Sequence, residues 1–190
     1  MIEILKKINW VDILMLVLLV RIVYISAKTG FVTEFMKMLG ALLACFFAFH
    51  YYVRIAAFMG DATKDMSEPV LQVCAFGVIW LVTFWIFHLV RNALVTVFTV
   101  QTMSLVDRWG AAVVSLARFF LTGSMIMFMF LMTDHSYVEK MMVSSYSQKY
   151  ILGVAPKIYY TVTNGFVVKF FPGQKVNPAV IGELGKVRAR

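Results

Sequence analysis

The chain has 190 residues, 61% of them hydrophobic and 15% charged, with a formal net charge of +8 and a mean hydropathy of +0.81. That balance excludes an ordinary soluble globular domain and leaves room for one small helical membrane bundle with a tail. In a soluble protein such a positive excess would suggest nucleic acid. Here it points to Lys and Arg beside anionic headgroups, with the lipid bilayer as a partner and no nucleic acid.

Four apolar stretches are long enough to approach the roughly 20 residues that cross a ~30 Å hydrocarbon core as a helix. They are read as spans over residues 8–26, 31–54, 70–92 and 110–132. Their apolarity is all round rather than on one face, as expected of helices in lipid. The predicted fold class is all-α, a four-transmembrane-helix bundle with a C-terminal amphipathic interfacial helix. Residues 1–134 form the bundle, 135–171 the interfacial segment and 172–190 a disordered basic tail.

In chain order, Lys6 and Lys7 precede the first span as in a signal peptide, but no clean small-x-small cleavage site follows. The first span is therefore read as a retained anchor. It ends at Ala27–Thr29 and the turn residue Gly30. The second exits through His50, Tyr51, Tyr52 and Arg54, an aromatic belt with a basic end. A polar loop, Gly60–Pro69, leads to the third span, and apolar Ala93–Met103 extends that helix or lies at the interface.

Gly40, Ala44 and Ala48 recur every four residues, as do Ala111 and Ser115. Small residues at this spacing let helix backbones approach, so both sets are expected to be packing faces. Charge at membrane depth is costly and needs a partner, a cavity or a route to the headgroups. The first turn and the loop before the fourth span fall at the same end of the bundle. This groups Arg21, Glu34, Asp107 and Arg118, with Lys37 and Arg108, into one intramembrane charge cluster. Pairing is expected for Arg21, Glu34 and Arg118, and snorkelling for Lys37 and Arg108. Asp12 is alone near the opposite end, where capping or hydration accounts for it.

After the fourth span, Pro156 suits a first helical position. From it, Ile158, Tyr159, Val162 and Phe166 fall near one helical face, with Lys157, Thr161 and Asn164 elsewhere. This predicts an interfacial docking helix, apolar side toward the acyl boundary.

Catalytic signatures are absent: no Gly-x-Ser-x-Gly, no Walker loop, no His-Glu-x-x-His and no Cys-x-x-Cys. Cys45 and Cys74 are read as small buried hydrophobes, and His50, His88 and His135 as scattered single histidines. Met125, Met127, Met129 and Met132 cover several faces of a helix and suggest flexible packing or lipid contact rather than a thioether site. No cofactor or metal is expected.

Asn9-Trp10-Val11-Asp12, Gly30-Phe31-x-x-Glu34, Asp107-Arg108 and Ser147…Ala155-Pro156 occur in this order from Asn9 to about Tyr160. The ordered set resembles the CvpA (colicin V production protein) family. Where that family tends to place glycines after its Asp-Arg pair, this chain has Ala111 and Ser115, while Arg118 matches. The resemblance implies a bacterial inner-membrane protein of four helices without assigned enzymatic activity, required for colicin V (toxin) production. It further implies that the first and third loops face the cytoplasm and both termini lie outside. Counting flanking Lys and Arg gives a tie.

Three functions fit. The leading one is a non-catalytic scaffold or accessory module for an envelope protein partner. The alternative is an oligomeric small transporter or channel, with Arg21, Glu34 and Arg118 lining a polar path. A membrane-embedded enzyme using Glu34 or Asp107 as a base comes third.

Overall fold

A computed structural model describes residues 9–62, 66–97, 105–133, 135–171 and 173–188. All elements within them are helical. Four long helices lead: α1 (Trp10–Ser26), α2 (Phe31–Ala62), α3 (Glu68–Val97) and α4 (Leu105–Leu131). The short α5 (Ser136–Val143) follows. A π turn, Gln148–Leu152, runs into α6 (Val154–Val162), and a second, Thr163–Val167, into α7 (Val168–Phe170). The last helix is α8 (Pro178–Arg188).

Helix α1 starts where Asn9 and Asp12 form a reciprocal cap, each side chain serving the other's end of the first turn. It stops at a tight turn that ends in Gly30, whose φ of 73° is one that side chains with a Cβ rarely adopt. Phe31–Ala62, Glu68–Ala93 and Asp107–Leu131 are each long and apolar enough to cross a membrane. The chain is therefore a multi-pass membrane protein.

Helices α2 and α3 form the most extensive pair, and α4 packs on both α2 and α1. Gly40, Ala44 and Ala48 are all buried. A Cβ at Gly40 would lie 3.0 Å from Cβ of Phe87, so the absent side chain sets how closely α2 and α3 approach. The core centres on Phe49, whose ring lies 4.7 Å from Phe128, 5.2 Å from Phe76 and 5.6 Å from Tyr159. Met125 and Met127 are fully buried in the same cluster, so these methionines serve packing.

Several expectations change. Helix α2 outruns its predicted span, residues 55–62 continuing it past the basic end at Arg54, while α3 runs on to Val97 as the apolar residues after Arg91 allowed. The expected disordered tail contains α8. Asn177 caps it, its Oδ1 accepting from Ala179 N, and Pro178 takes the first position. Val180 then buries a docked face. Cys74 is exposed rather than buried, since it sits on the side of α3 turned from the bundle, while Cys45 is buried as expected. Residue 8, Lys6, Lys7, Lys64 and residues 98–103 lie outside the described residues.

Candidate functional site

Polar side chains tie the bundle together in four places. At one end, the turn before α2 meets the start of α4. Phe31 N donates to Asp107 Oδ1 at 2.9 Å, and a Cβ on Gly110 would meet the Phe31 ring at 2.8 Å. One turn further along α2, the Glu34 side chain is completely buried. Its Oε1 accepts from Thr29 Oγ1 at 2.6 Å and from Lys37 Nζ. Its Oε2 faces Arg118 Nη2 at 2.9 Å as an ion pair, off the angle of a good hydrogen bond. Arg118 Nε is buried without a hydrogen-bond partner among the described residues. Ser115, one turn earlier on α4, is also buried, as is Ala111. Of the grouped charges, Glu34 meets both Arg118 and Lys37, and Asp107 anchors the adjacent backbone. Lys37, expected to snorkel, is paired instead because it lies one turn beyond the carboxylate on the same helix. Arg21 is exposed on α1 and stands apart from that pair.

At the other end, Asp12 is not alone. Its Oδ1 accepts from Ser147 N at 2.9 Å and from Ser147 Oγ at 2.6 Å. Asn9 Nδ2 donates to Met141 O at 2.7 Å and to Ser144 Oγ at 3.0 Å. The start of α1 is thereby tied to the chain that follows α4.

The third tie lies between these ends. Pro156 has no N–H, so the carbonyl four residues earlier, Leu152 O, lacks its helical donor. The buried hydroxyl of Ser124 on α4 donates to that oxygen at 2.6 Å and accepts from Ala155 N at 2.9 Å. Cys45 Sγ lies 3.8 Å from Ala155 O on the α2 side. Next to Ser124, a Cβ at Gly123 would meet Ile151 at 3.2 Å and Met15 Sδ at 3.3 Å, so three elements converge there.

The fourth tie is a chain of hydrogen bonds. Asn177 N donates to Tyr159 Oη at 3.0 Å. Tyr159 Oη is 3.1 Å from His50 Nδ1, and His50 Nε2 is 2.8 Å from Gln174 Oε1. The chain is satisfied by the tautomer in which the tyrosine donates to Nδ1 and His50 Nε2–H donates to Gln174 Oε1. Burial holds the Tyr159 hydroxyl above its ordinary pKa, which keeps it a donor. Asn177 Nδ2 also donates to Phe49 O at 3.0 Å, docking the start of α8 on α2.

The predicted docking face divides. Pro156 and Tyr159 are buried in the bundle and Ile158 is half-buried, whereas Val162 and Phe166 are exposed. The division follows from Ser124 and Phe49, which hold the first turns of α6 inward. Sequence reasoning missed Gly123, Ser124, Gln174 and Asn177. Only Pro156, by leaving a carbonyl in need of a donor, offered a signal toward Ser124.

The model of the family described as colicin V production protein matches residues 11–156. The chain belongs to the colicin V production protein family. Separate searches of curated proteins and of solved structures found no match. Residues that carry the family resemblance meet in two pairs, Asp12 with Ser147 and Phe31 with Asp107, and Ala155 donates its N–H to Ser124.

Proposed function

We propose that this colicin V production family member is a non-catalytic scaffold or accessory module of the bacterial inner membrane, serving an envelope partner in toxin production. Trp10–Ser26 is its fourth span: 17 residues lie at the short end of the ~17–25 that cross. Ile13, Leu16, Val17, Val20 and Tyr24 turn outward along it, each more than half exposed, as lipid contact requires. The segment from residue 148 to 170 packs its first turns against α2 and α4 and turns its later, exposed residues to the membrane interface. The first turn and the start of α4 face the cytoplasm, and the C-terminus faces outside.

The observation that carries this reading is the state of the Glu34 carboxylate. It is completely buried and shared among Thr29, Lys37 and Arg118, so its charge is used to clamp helices together. The outward face available to a partner carries Phe166 and Phe170, whose rings lie 4.9 Å apart at a tilt of 47° and are each about two-thirds exposed. Affinity purification from membranes tests the idea. A Phe166→Ser, Phe170→Ser variant should keep its helical circular dichroism and lose the envelope proteins that co-purify with the wild type. Recovery of the same proteins at full yield would sink the docking role.

A second reading, the oligomeric transporter, is favoured by one observation. The set of buried Glu34 and Arg118 with half-buried Lys37 holds one cation more than it holds anions, and Arg118 Nε has no hydrogen-bond partner among the described residues. Anion flux into liposomes of pure protein, abolished by Arg118→Gln, would establish this reading over the scaffold.

A further inference from the structure

Between the 144–161 stretch and α8 runs an open groove of about 1160 Å³. It exceeds the ~300–1,000 Å³ of sites that enclose drug-sized ligands. One wall is apolar, formed by Val176, Val180, Ile181 and Leu184. The opposite wall carries Lys149, Lys157 and the tyrosines Tyr146, Tyr150 and Tyr160, and no Asp or Glu among the described residues lines the groove. Both lysines are exposed. Lys149 Nζ lies 5.6 Å from the centre of the Tyr150 ring. The Lys157 chain folds back over the bare backbone of Gly153, where a Cβ would lie 3.9 Å from its Cε.

We propose that this groove seats one anionic glycerophospholipid, its phosphate between Lys149 and Lys157 and an acyl chain along Val180, Ile181 and Leu184. Two observations select this occupant. Charge complementarity is one-sided, with two cations and no carboxylate among the described residues of the lining, so the ammonium of a zwitterionic lipid meets no counter-charge there. The apolar wall runs along α8, where a free phosphorylated solute has nothing to place and a lipid tail does. The tyrosines fit the same assignment, since their amphipathic rings favour the headgroup level. The site owes nothing to the Glu34 cluster or to a protein partner, so it stands independently of the scaffold reading.

The test uses the full chain in mild detergent, exchanged against equimolar phosphatidylglycerol and phosphatidylcholine, with retained lipid counted by native mass spectrometry. The wild type should retain one phosphatidylglycerol with about tenfold preference over phosphatidylcholine, the scale expected of two lysines near a phosphate. Lys149→Gln, Lys157→Gln should erase the preference. Gly185→Trp should remove the retained lipid altogether, because it lines the groove and a Cβ there meets nothing within 4 Å, leaving the ring room to fill the space. Circular dichroism confirms that each variant is folded, and both changes are on exposed positions. Equal retention of the two lipids by the wild type overturns the proposal. So does undiminished phosphatidylglycerol on either variant, which would mark the lipid as ordinary annular contact.

Discussion

The Asp12 carboxylate accepts from both the backbone N–H and the hydroxyl of Ser147, holding the start of the first long helix to the chain beyond the fourth. One oxygen thus fixes the two ends of the family-matched region against each other. The geometry is that of a charged N-cap transferred across the structure: an anion beside the first free N–H groups of a helical segment. It makes the 144–170 stretch part of the bundle rather than an appendage.

Removing that tie should loosen the stretch without unfolding the helices. Asp12→Ala leaves Ser147 N–H and its hydroxyl unanswered, at a cost of about 1.5–3 kcal/mol for hydrogen bonds to a charged group. Asp12→Asn keeps an acceptor of the same size and should lose less. Thermal unfolding in detergent ranks the two, and hydrogen exchange should show the increase confined to residues 144–152 and the first turn of α1, which Asp12 also caps. Equal losses for both variants would mean that the carboxylate's charge, not the bond geometry, carries the tie.

The Glu34 cluster makes a stronger prediction. Glu34→Gln leaves buried Arg118 and half-buried Lys37 as cations without this counter-charge, and breaking a buried pair costs on the order of 3 kcal/mol. Arg118→Gln, by contrast, leaves Glu34 still held by Lys37 and Thr29, so it should cost less. In a double-mutant cycle the two should couple by at least about 0.5 kcal/mol. Strict additivity in detergent unfolding would show that the 2.9 Å approach contributes nothing. Arg21 is the control: being exposed on α1, its replacement by Gln should show no coupling to Glu34.

That contrast shows what the chain makes legible and what it hides. Level along the membrane normal can be counted from helix starts, and it correctly brought Glu34 near Arg118. Azimuth around a helix cannot be counted in an all-round apolar span, because no polar face marks which side is inward. Arg21 therefore shares the level of the cluster but not its side. The buried run Gly40, Ala44 and Ala48 was readable because small side chains are themselves the cause of close approach. Ser124 and Asn177 were not, since each answers a backbone group far away in sequence. Helix ends were misjudged for a related reason: hydropathy reports contact with lipid, and α2 continues as a helix after its apolar stretch stops.

Ser124 and Pro156 form a linked pair that can be tested chemically. Ser124→Ala strips Leu152 O and Ala155 N of their buried partner, which should cost about 1–3 kcal/mol. Pro156→Ala supplies a backbone N–H that can reach Leu152 O as an ordinary helical donor. In that background Ser124→Ala should cost measurably less. If the cost is unchanged, the hydroxyl's value lies wholly in accepting from Ala155 N, and the missing proline N–H is not what the serine answers.

The close approaches at Gly123 and Gly40 separate two interfaces. Gly123→Leu drives a branched side chain toward Ile151 and Met15 and should displace both the π turn and α1. Gly40→Leu meets the Phe87 Cβ instead and should separate only α2 from α3. Each exceeds the cost of ordinary surface substitutions, with overpacking typically about 1–3 kcal/mol. Cross-linking efficiency between single cysteines placed on α1 and α4 distinguishes them: it should fall in Gly123→Leu and persist in Gly40→Leu.

Topology gives a final prediction with two separable parts. The Phe31 N to Asp107 Oδ1 bond holds the turn at 27–30 and the start of α4 at one end of the bundle. Positions 28 and 108 must therefore react alike with an impermeant maleimide, whichever way the protein is inserted. The proposed orientation adds that both are shielded in intact spheroplasts, while a cysteine at position 64 is labelled. The experiment needs a background without Cys45 and Cys74, and Cys45→Ser preserves a donor toward Ala155 O. Labelling at 28 and 108 but not at 64 would invert the orientation and leave the fold intact. Labelling at only one of 28 and 108 would contradict the helix arrangement itself, because no rigid insertion places two ends of one hydrogen-bonded turn on opposite sides of a bilayer.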